Sequence, residues 1–219
     1  AGEALGDSLL RDMRELRTIP PRPRILVFVG KGHNGGDALI AAKRLLKTIP
    51  TARAVIWQVA KWEDCRPLCQ KAHHEMLELV GNRVTETEIL ENLSGSKEVE
   101  STFTGLLEQG DFTASIDGLL GMRARLPLRP IIAELVSVIN RSKKIGVRVA
   151  VDLPTGIGEE SEGEALRADF TYCTGIVKMP VIHKDNLKWT GRLRYLDLGF
   201  FDDSSVSISR KSEVEVLRR

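Results

Sequence analysis

The stretch RILVFVGKGHNGGDALIAAKRLL, residues 24–46, combines an apolar run, a glycine-rich turn and a helical pattern. The β-branched run at 24–29 predicts a buried strand. After the turn, small and apolar residues recur at helical spacing at Ala38, Leu39, Ala41, Ala42, Leu45 and Leu46. Four glycines lie within positions 30–36, between the strand and the helix. Strand-to-helix turns of this kind bring backbone N–H groups and a helix N-terminus close to a ligand.

Strand and helix patterns alternate along most of the chain. Strands are predicted at 24–29, 52–60, 112–120, 147–153, 170–175 and 193–199, and helices at 1–16, 36–48, 65–80, 98–108 and 130–142. This alternation predicts an α/β fold with a mostly parallel central sheet that is covered on both faces. We expect one domain over residues 1–206, followed by a polar tail at 207–219.

The composition excludes several classes of function. The 219 residues are 42% hydrophobic, which is enough for one substantial core. Lys and Arg number 32 against 30 Asp and Glu, so the net charge of +2 predicts neither nucleic acid nor a membrane surface as a partner. No apolar stretch has transmembrane length, and we expect neither a membrane span nor a signal peptide. Three cysteines are too few for a disulfide framework, which favours the reducing cytoplasm.

Two of the cysteines and a histidine have a spacing that could place them together as zinc ligands. Cys65, Cys69 and His73 are spaced i, i+4 and i+8, so they would lie along one face of a helix. Three such ligands on one face could hold zinc, but a structural site usually has a fourth ligand and a turn. The pattern favours small residues facing the core.

The glycine turn admits several interpretations. Residues 30–35, GKGHNG, match the G-x-G-x-x-G pattern of dinucleotide-binding folds. A hydride-transfer dehydrogenase is disfavoured because the second predicted strand does not end in an acid that could bind the ribose. Asp37 would also compete with a pyrophosphate for the positive end of the helix. No Gly-Lys-Ser/Thr closes the turn, which excludes a Walker loop. A turn that only packs the strand against the helix remains an alternative.

Polar side chains follow two further predicted strands. Asp117 ends the strand at 112–120, and Asp152 ends another just before a Pro-Thr-Gly turn that contains Thr155. Because the carboxyl ends of parallel strands share one edge of a sheet, we expect these residues to converge with Asn34 and Asp37. Each could instead cap a turn or satisfy loop N–H groups. Several carboxylates at one edge predict a bound cation, and hard oxygen donors suit an alkali or alkaline-earth ion.

Three motifs together resemble the YjeF N-terminal domain family, whose best-known members are NAD(P)H-hydrate epimerases. The motifs are GKGHNGGDALIAAKRL at 30–45, DGLLGMRARLP at 117–127 and VDLPTG at 151–156. The resemblance runs from the first helix to about residue 199. It implies a Rossmann-like three-layer αβα sandwich, often dimeric, that binds hydrated NADH or NADPH as a small-molecule substrate together with a potassium ion.

The resemblance also implies roles for individual residues. The predicted potassium ligands are Asn34, Asp117 and Thr155, and the predicted catalytic residue is the substrate-contacting Asp152. The predicted substrate-binding turn consists of His33, Asn34, Gly35, Gly36 and Asp37. The predicted loop over the substrate phosphates consists of Gly121, Met122, Arg123, Ala124, Arg125, Leu126 and Pro127. Lys178 lies where members of the family often carry a lysine, which is a weaker match.

The sequence departs from the family pattern in two places. His33 stands where the family usually has a first asparagine, and the loop at 121–127 has bulkier residues than the usual glycines. Arg123 and Arg125 could bind phosphates through their guanidinium groups, or they could be solvated loop residues.

These observations lead to a functional hypothesis and two rivals. We expect an isomerase that interconverts the R and S epimers of hydrated NADH or NADPH, with Asp152 as both acid and base. A non-catalytic nucleotide-binding or scaffold domain of the same fold is the alternative. A pocket for another nucleotide, with a different reaction, is a third possibility.

Overall fold

A parallel sheet of seven strands forms the centre of the computed structural model, which describes residues 1–87, 89–93, 95–122, 124–158 and 163–199. The strand order is β3-β2-β1-β4-β5-β6-β7, and every pairing is parallel. The strands are β1 (Arg24–Val29), β2 (Arg53–Gln58), β3 (Val84–Glu86), β4 (Phe112–Gly118), β5 (Ile145–Val151), β6 (Phe170–Thr174) and β7 (Arg192–Leu196).

Helices connect the strands and cover the sheet. The helices are α1 (Gly2–Leu16), α2 (His33–Thr48), α3 (Pro67–Val80), α4 (Ser96–Glu108), α5 (Pro130–Arg141), α6 (Met179–Ile182) and α7 (Leu187–Thr190). Short 3₁₀ turns lie at Trp62–Asp64, Gly81–Arg83, Leu90–Asn92 and Lys184–Asn186. Alternation of strands and helices in this order produces the crossovers that a parallel sheet requires.

The two faces of the sheet pack against different helices, so the molecule has three layers. Ile25, Val27 and Val29 of β1 are buried in a core that includes apolar residues of α1, α2 and α3. Leu26 and Phe28 point to the opposite face, into a core formed with α4 and α5. Buried on both faces, β1 is an almost continuous apolar run, as expected for a central parallel strand. The predicted α/β sandwich is confirmed.

The connections change direction between β1 and β4. From β1 the chain proceeds outward to β2 and β3, then returns to β4 on the other side of β1 and continues to β7. In open parallel sheets, ligands bind outside the carboxyl ends of the strands where the order reverses. The turn after β1 lies at this point, and the Gly30 N–H donates to the Gly118 carbonyl at the end of β4 over 3.0 Å.

A buried polar network connects α1 to β6 and β7, at one edge of the sheet. Asp12 of α1 is 1% exposed and accepts a hydrogen bond from the Tyr172 hydroxyl at 2.7 Å. The Arg194 guanidinium of β7 also binds both Asp12 carboxylate oxygens at 3.0–3.2 Å. The first helix is therefore tied to β6 and β7, about 160–180 residues away in sequence.

The sequence predictions differ from the structure at element ends and in three short elements, β3, α6 and α7, which were not predicted. Helix α2 begins at His33 instead of residue 36, so most of the glycine turn is already helical. The three-residue β3 was missed because Val84, Thr85 and Glu86 carry too little apolar signal. The domain limit at residue 206 stays a prediction, and the polar tail at 207–219 lies outside the described residues. No helix in the described part of the chain is long and apolar enough to cross a membrane.

Candidate functional site

The carboxyl ends of four neighbouring strands bring the predicted site residues to one edge of the sheet. The glycine turn follows β1, Asp117 is the penultimate residue of β4, and Asp152 directly follows β5. Thr174 is the last residue of β6. Since β1, β4, β5 and β6 are consecutive neighbours in the sheet, these residues lie side by side along one edge, starting at the point between β1 and β4 where the strand order reverses.

The glycines of the turn allow it to lie directly against the end of β4. A Cβ atom at Gly30 would lie 1.7 Å from the Leu119 carbonyl oxygen, and one at Gly35 would lie 2.3 Å from the Gly30 carbonyl oxygen. Opposite them, a Cβ at Gly118 would lie 2.6 Å from the Asn34 carbonyl oxygen. Gly32 differs, because nothing lies within 4 Å of its Cβ position. Close packing therefore accounts for part of the glycine pattern.

We expect Gly30→Ala to lower the free energy of unfolding by about 2 kcal/mol, in the middle of the range for overpacked sites. The added methyl group would overlap a backbone carbonyl, which cannot rotate away as a side chain can. Gly32→Ser is the matched control, because Gly32 is the N-cap of α2 and serine is a good N-cap residue. Urea unfolding of the two variants measures the difference, and equal stability would contradict the close approach.

Asn34 joins the first turn of α2 to the ends of two strands. Its Nδ2 donates to the Leu120 carbonyl at 3.1 Å and to the Val151 carbonyl at 2.9 Å. Gly121 leaves room for this amide, because a Cβ there would lie 3.2 Å from Nδ2. The amide thus holds together the segments that follow β4 and end β5.

Asp117 and Thr155 form the buried part of the same cluster. Both are 1% exposed. The Thr155 hydroxyl donates to Asp117 Oδ1 at 2.8 Å, and the Thr155 N–H donates to Oδ2 at 2.7 Å. The Leu119 N–H also donates to Oδ1 at 3.1 Å, and the Leu120 N–H donates to the Thr155 hydroxyl at 3.3 Å. A hydrogen-bonded chain therefore runs from Asn34 through Leu120 and Thr155 to Asp117.

Ionisation of the Asp117 carboxyl group is unfavourable at this buried position. Burial raises the pKa of Asp117 to about 6, although three hydrogen bonds from neutral donors act in the opposite direction. Each of these donors is a backbone N–H or a hydroxyl, and none carries a positive charge. A buried carboxylate in such surroundings gains stability when a cation lies beside it.

Asp152 has an unusual backbone conformation. Its φ angle is 71°, and among the described residues it is the one non-glycine residue with a positive φ. Aspartate tolerates this left-handed region better than most residues, but such positions concentrate at functional sites. Asp152 Oδ1 accepts hydrogen bonds from the Thr174 N–H and hydroxyl and from Lys178 Nζ, the last at 2.7 Å. The backbone N–H of Asp152 donates to the Tyr172 carbonyl at 2.9 Å.

The helical side of the site is formed by His33 and Asp37. The His33 ring lies 3.3 Å from the Arg66 guanidinium, measured from Nε2 to Nη1. Asp37 Oδ1 accepts a hydrogen bond from the Gly2 N–H at 3.0 Å, so it contacts α1 as well as the turn. Burial raises the pKa of Asp37, and the charge of Asp152 adds to that effect. Both residues line a groove of about 340 Å³ between α2 and α3.

The predicted phosphate loop follows β4. Its first residue, Gly121, contacts the Asn34 amide, and its carbonyl accepts a hydrogen bond from the Ala124 N–H at 2.9 Å. Met122 is 47% exposed. Arg123 lies outside the described residues, and its predicted role at the phosphates stays a prediction.

The pattern of Cys65, Cys69 and His73 does not form a metal site among the described residues. Cys65 precedes α3, both thiols are buried, and the Cys69 thiol donates to the Gly30 carbonyl at 3.8 Å. His73 stacks on Trp62 and lies 2.6 Å from Glu86, measured from Nε2 to Oε1. The cysteines therefore face the core beneath the glycine turn, as the sequence favoured.

Sequence reasoning missed several contributors to the site. The Leu120 and Val151 carbonyls are backbone groups, which carry no sequence signal. Thr174 could have been found, because it ends a predicted strand at the same edge as Asp152. Its role follows only from the pairing of β5 with β6.

An open parallel sheet with a polar cluster at its switch point defines this chain as a Rossmann-like α/β protein. The model of the family described as "YjeF-related protein N-terminus" matches residues 1–179, and the chain belongs to this family. The family resemblance of the three sequence motifs is thereby confirmed.

Relatives with curated names lie at moderate identity. The chain is 32% identical over 191 residues to a "Bifunctional NAD(P)H-hydrate repair enzyme Nnr" of Gloeobacter violaceus, with 81% of this chain and 31% of that protein covered. It is 31% identical over 189 residues to an "NAD(P)H-hydrate epimerase" of Rhodopirellula baltica, with 84% of this chain and 69% of that protein covered. The chain thus spans under a third of the bifunctional relative.

A solved structure supports the fold. The crystal structure of the yeast protein ynu0, YNL200c, superposes with a TM-score of 0.63 at 16% sequence identity. The match covers 89% of this chain and 74% of the yeast chain. At that identity, the likeness concerns the fold alone.

Proposed function

We propose that this chain is an isomerase, an NAD(P)H-hydrate epimerase that interconverts the R and S epimers of hydrated NADH and NADPH. Relatives that carry this name match most of the chain. The observation that carries the proposal is Asp152, a carboxylate in a left-handed conformation at the end of the strand next to the switch point, beside the Asn34–Asp117–Thr155 cluster.

The chemistry of the substrate defines what the site must do. Hydrated nicotinamide carries a hydroxyl on a ring carbon next to nitrogen, so it is a carbinolamine. The nitrogen lone pair forms a C=N bond as the C–O bond breaks, and the protonated hydroxyl leaves as water with the bonding electrons. Water then adds to the opposite face of the same carbon, a proton is lost, and the centre is inverted. The reaction needs one proton donated and one proton removed, with no redox change.

Asp152 can perform both proton transfers. As an acid it donates a proton to the departing hydroxyl, and as a carboxylate it takes a proton from the returning water. The side chain of Asp152 is 16% exposed, so it is shielded from bulk water while remaining open to a ligand at the edge of the sheet. We expect the turn at His33–Asp37 and the loop at Gly121–Pro127 to contact the rest of the dinucleotide.

We also propose that the site holds a potassium ion. The donors of the cluster are chemically suitable, because Asn34, Asp117 and Thr155 supply an amide, a carboxylate and a hydroxyl. Asp117 is a buried carboxylate bonded only by neutral donors among the described residues, which is the setting in which a cation stabilises the ionised form. When bound, potassium would supply positive charge to this edge of the sheet and fix the strand ends.

Potassium should raise the melting temperature more at about pH 8 than at about pH 5, because a ligating Asp117 must be ionised and its pKa is about 6. At a tenfold excess over Kd, the expected stabilisation is about 1.4 kcal/mol, or roughly 3–5 °C for a chain of this size. Without a bound cation, the free energy of unfolding has the opposite pH dependence: it falls as the pH rises from about 4 to about 6. Over that range the folded state binds more protons than the unfolded state does.

Differential scanning fluorimetry in potassium chloride, against tetramethylammonium chloride of equal ionic strength, measures this effect. Asp117→Asn is the control and should remove both the potassium effect and its pH dependence. Equal melting temperatures in the two salts at both pH values would exclude the ion site.

The scaffold alternative predicts binding without turnover. The test uses chemically prepared hydrated NADH (NADHX) and hydrated NADPH (NADPHX), each enriched in one epimer. Chromatography then follows the approach to the equilibrium between the two epimers. Catalysed interconversion above a protein-free blank supports the epimerase. Binding of the dinucleotide without interconversion would favour a scaffold or nucleotide-binding domain, and comparison of the two substrates gives the preference between them.

Assembly and compartment are further parts of the proposal. The family resemblance implies a homodimer, which light scattering of the purified protein would detect. A reducing compartment agrees with three cysteines that are free and buried, none of them in a disulfide.

A further inference from the structure

The two carboxylate oxygens of Asp152 have different surroundings. Oδ1 accepts hydrogen bonds from the Thr174 N–H at 3.1 Å, from the Thr174 hydroxyl at 2.5 Å and from Lys178 Nζ at 2.7 Å. Within the part of the chain that the structure describes, Oδ2 accepts no hydrogen bond. Three donors therefore hold one oxygen, while the other keeps its lone pairs available.

Lys178 is partly buried beside Asp152 and does not extend freely into solvent. Its side chain is 19% exposed, that of Asp152 is 16% exposed, and Nζ also reaches the Thr174 carbonyl at 3.4 Å. A hydrogen bond between an ammonium and a carboxylate is roughly twice as strong as one between neutral groups. Partial burial also reduces the screening of the pair by salt.

The backbone of Asp152 fixes the position of its Cα atom but not the orientation of its carboxylate group. The N–H bond to Tyr172 and the left-handed φ position the Cα atom. The terminal torsion of an aspartate is broad and nearly two-fold symmetric, so an unanchored carboxylate would sample many orientations. Donors on a single oxygen remove that freedom and direct the other oxygen in one direction.

We propose that Lys178 is a positioning residue that, together with Thr174, holds Oδ1 of Asp152 so that Oδ2 is the atom that exchanges the proton. In the first half-reaction the Oδ2–H bond breaks and its proton goes to the departing hydroxyl of the substrate. In the second half, Oδ2 takes a proton from the returning water. This inference rests on the proposed epimerase function, and it assigns the reacting atom and a second residue that the reaction requires.

Lys178→Ala should lower kcat for epimer interconversion about tenfold or more, since small misplacements of a reacting group cost up to about a hundredfold. KM should change by less than about threefold, because the lysine orients the acid–base group and does not bind the substrate. Ethylammonium added to this variant should restore part of kcat by returning a cation to the space, and Lys178→Arg should retain more activity than alanine. Recovery of kcat with ethylammonium is the result that a merely structural lysine would not show.

Controls separate positioning from stability. Lys184→Ala removes an exposed lysine from the same segment and should leave kcat unchanged. Lys178→Met keeps most of the packing volume and serves if the alanine variant unfolds. Thr174→Val should also lower kcat, whereas Thr174→Ser, which keeps the hydroxyl donor, should lower it much less.

Three results would overturn the inference. An unchanged kcat in Lys178→Ala would show that Oδ1 needs no anchor. A raised KM with intact kcat would make Lys178 a substrate-binding group, and a loss that neither ethylammonium nor arginine rescues would make it structural. If the wild-type chain interconverts the epimers, these failures leave the epimerase function standing. An inactive wild-type chain would overturn the epimerase proposal and this inference together.

Discussion

Asp152→Asn is expected to slow interconversion of the NADHX epimers by at least about a hundredfold, the lower end of what a general acid–base group contributes. The amide keeps the shape of the side chain and its hydrogen-bonding reach, but it cannot exchange a proton with the substrate. Asparagine also tolerates a positive φ as readily as aspartate, so the φ of 71° should be retained without added strain.

The measurement separates catalysis from binding. Turnover of epimer-enriched NADHX gives kcat, and titration with the dinucleotide gives an affinity that should change much less than kcat. Asp185→Asn is the matched control, because it makes the same change at an exposed aspartate beside α7. An Asp152→Asn variant as fast as the wild type would exclude Asp152 as the acid–base group and direct the search to another residue.

Asp12→Ala is expected to lower the free energy of unfolding by about 3 kcal/mol, the low end of the range for breaking a buried ion pair. Asp12 is 1% exposed, and its loss leaves the Tyr172 hydroxyl and the Arg194 guanidinium without their partner. The Arg194 side chain is 31% exposed and can partly rehydrate, which keeps the cost from the upper end.

Asp7→Ala is a close control for this measurement. Asp7 lies in the same helix and pairs with Arg44 at 2.7 Å, but its side chain is 54% exposed. An exposed pair contributes less than about 1 kcal/mol, so chemical denaturation should distinguish the two aspartates clearly. Equal effects of the two variants would show that the network does not fasten α1 to the sheet.

The same network gives stability a pH dependence. Burial opposes the ionised form of Asp12, but the hydrogen bonds and charge of Arg194 and the Tyr172 hydroxyl outweigh it and lower the pKa of Asp12. Because the folded pKa is below the unfolded value, this contribution is present at neutral pH and is lost as the pH falls through the folded pKa. Asp12→Ala should therefore have a flatter stability profile in acid than the wild type.

Much of the fold could be predicted from local patterns in the sequence. The apolar run of β1 and the helical spacing of α2 lie in one continuous stretch, so neighbouring residues alone indicate them. The order of strands and helices then implied a parallel sheet, because parallel strands need crossover connections. The short β3 was missed, since three residues carry too little pattern and its position depends on pairing with β2.

The candidate site was predictable only in part. Asn34, Asp117, Asp152 and Thr155 were chosen from their positions at turns and strand ends, and the shared edge of a parallel sheet explains why they converge. The sequence could not indicate that Asn34 bonds the Leu120 and Val151 carbonyls, because any residue type can supply a carbonyl.

By itself, the sequence determined the longer elements, their order and the residue types at the strand ends, because hydrophobic periodicity and turn chemistry act over a few neighbouring positions. Only the tertiary structure decided that three donors hold one oxygen of Asp152, and that Arg194 reaches Asp12 across 182 positions of sequence. Such contacts depend on which strands become neighbours, and strand order is set by packing of the whole chain.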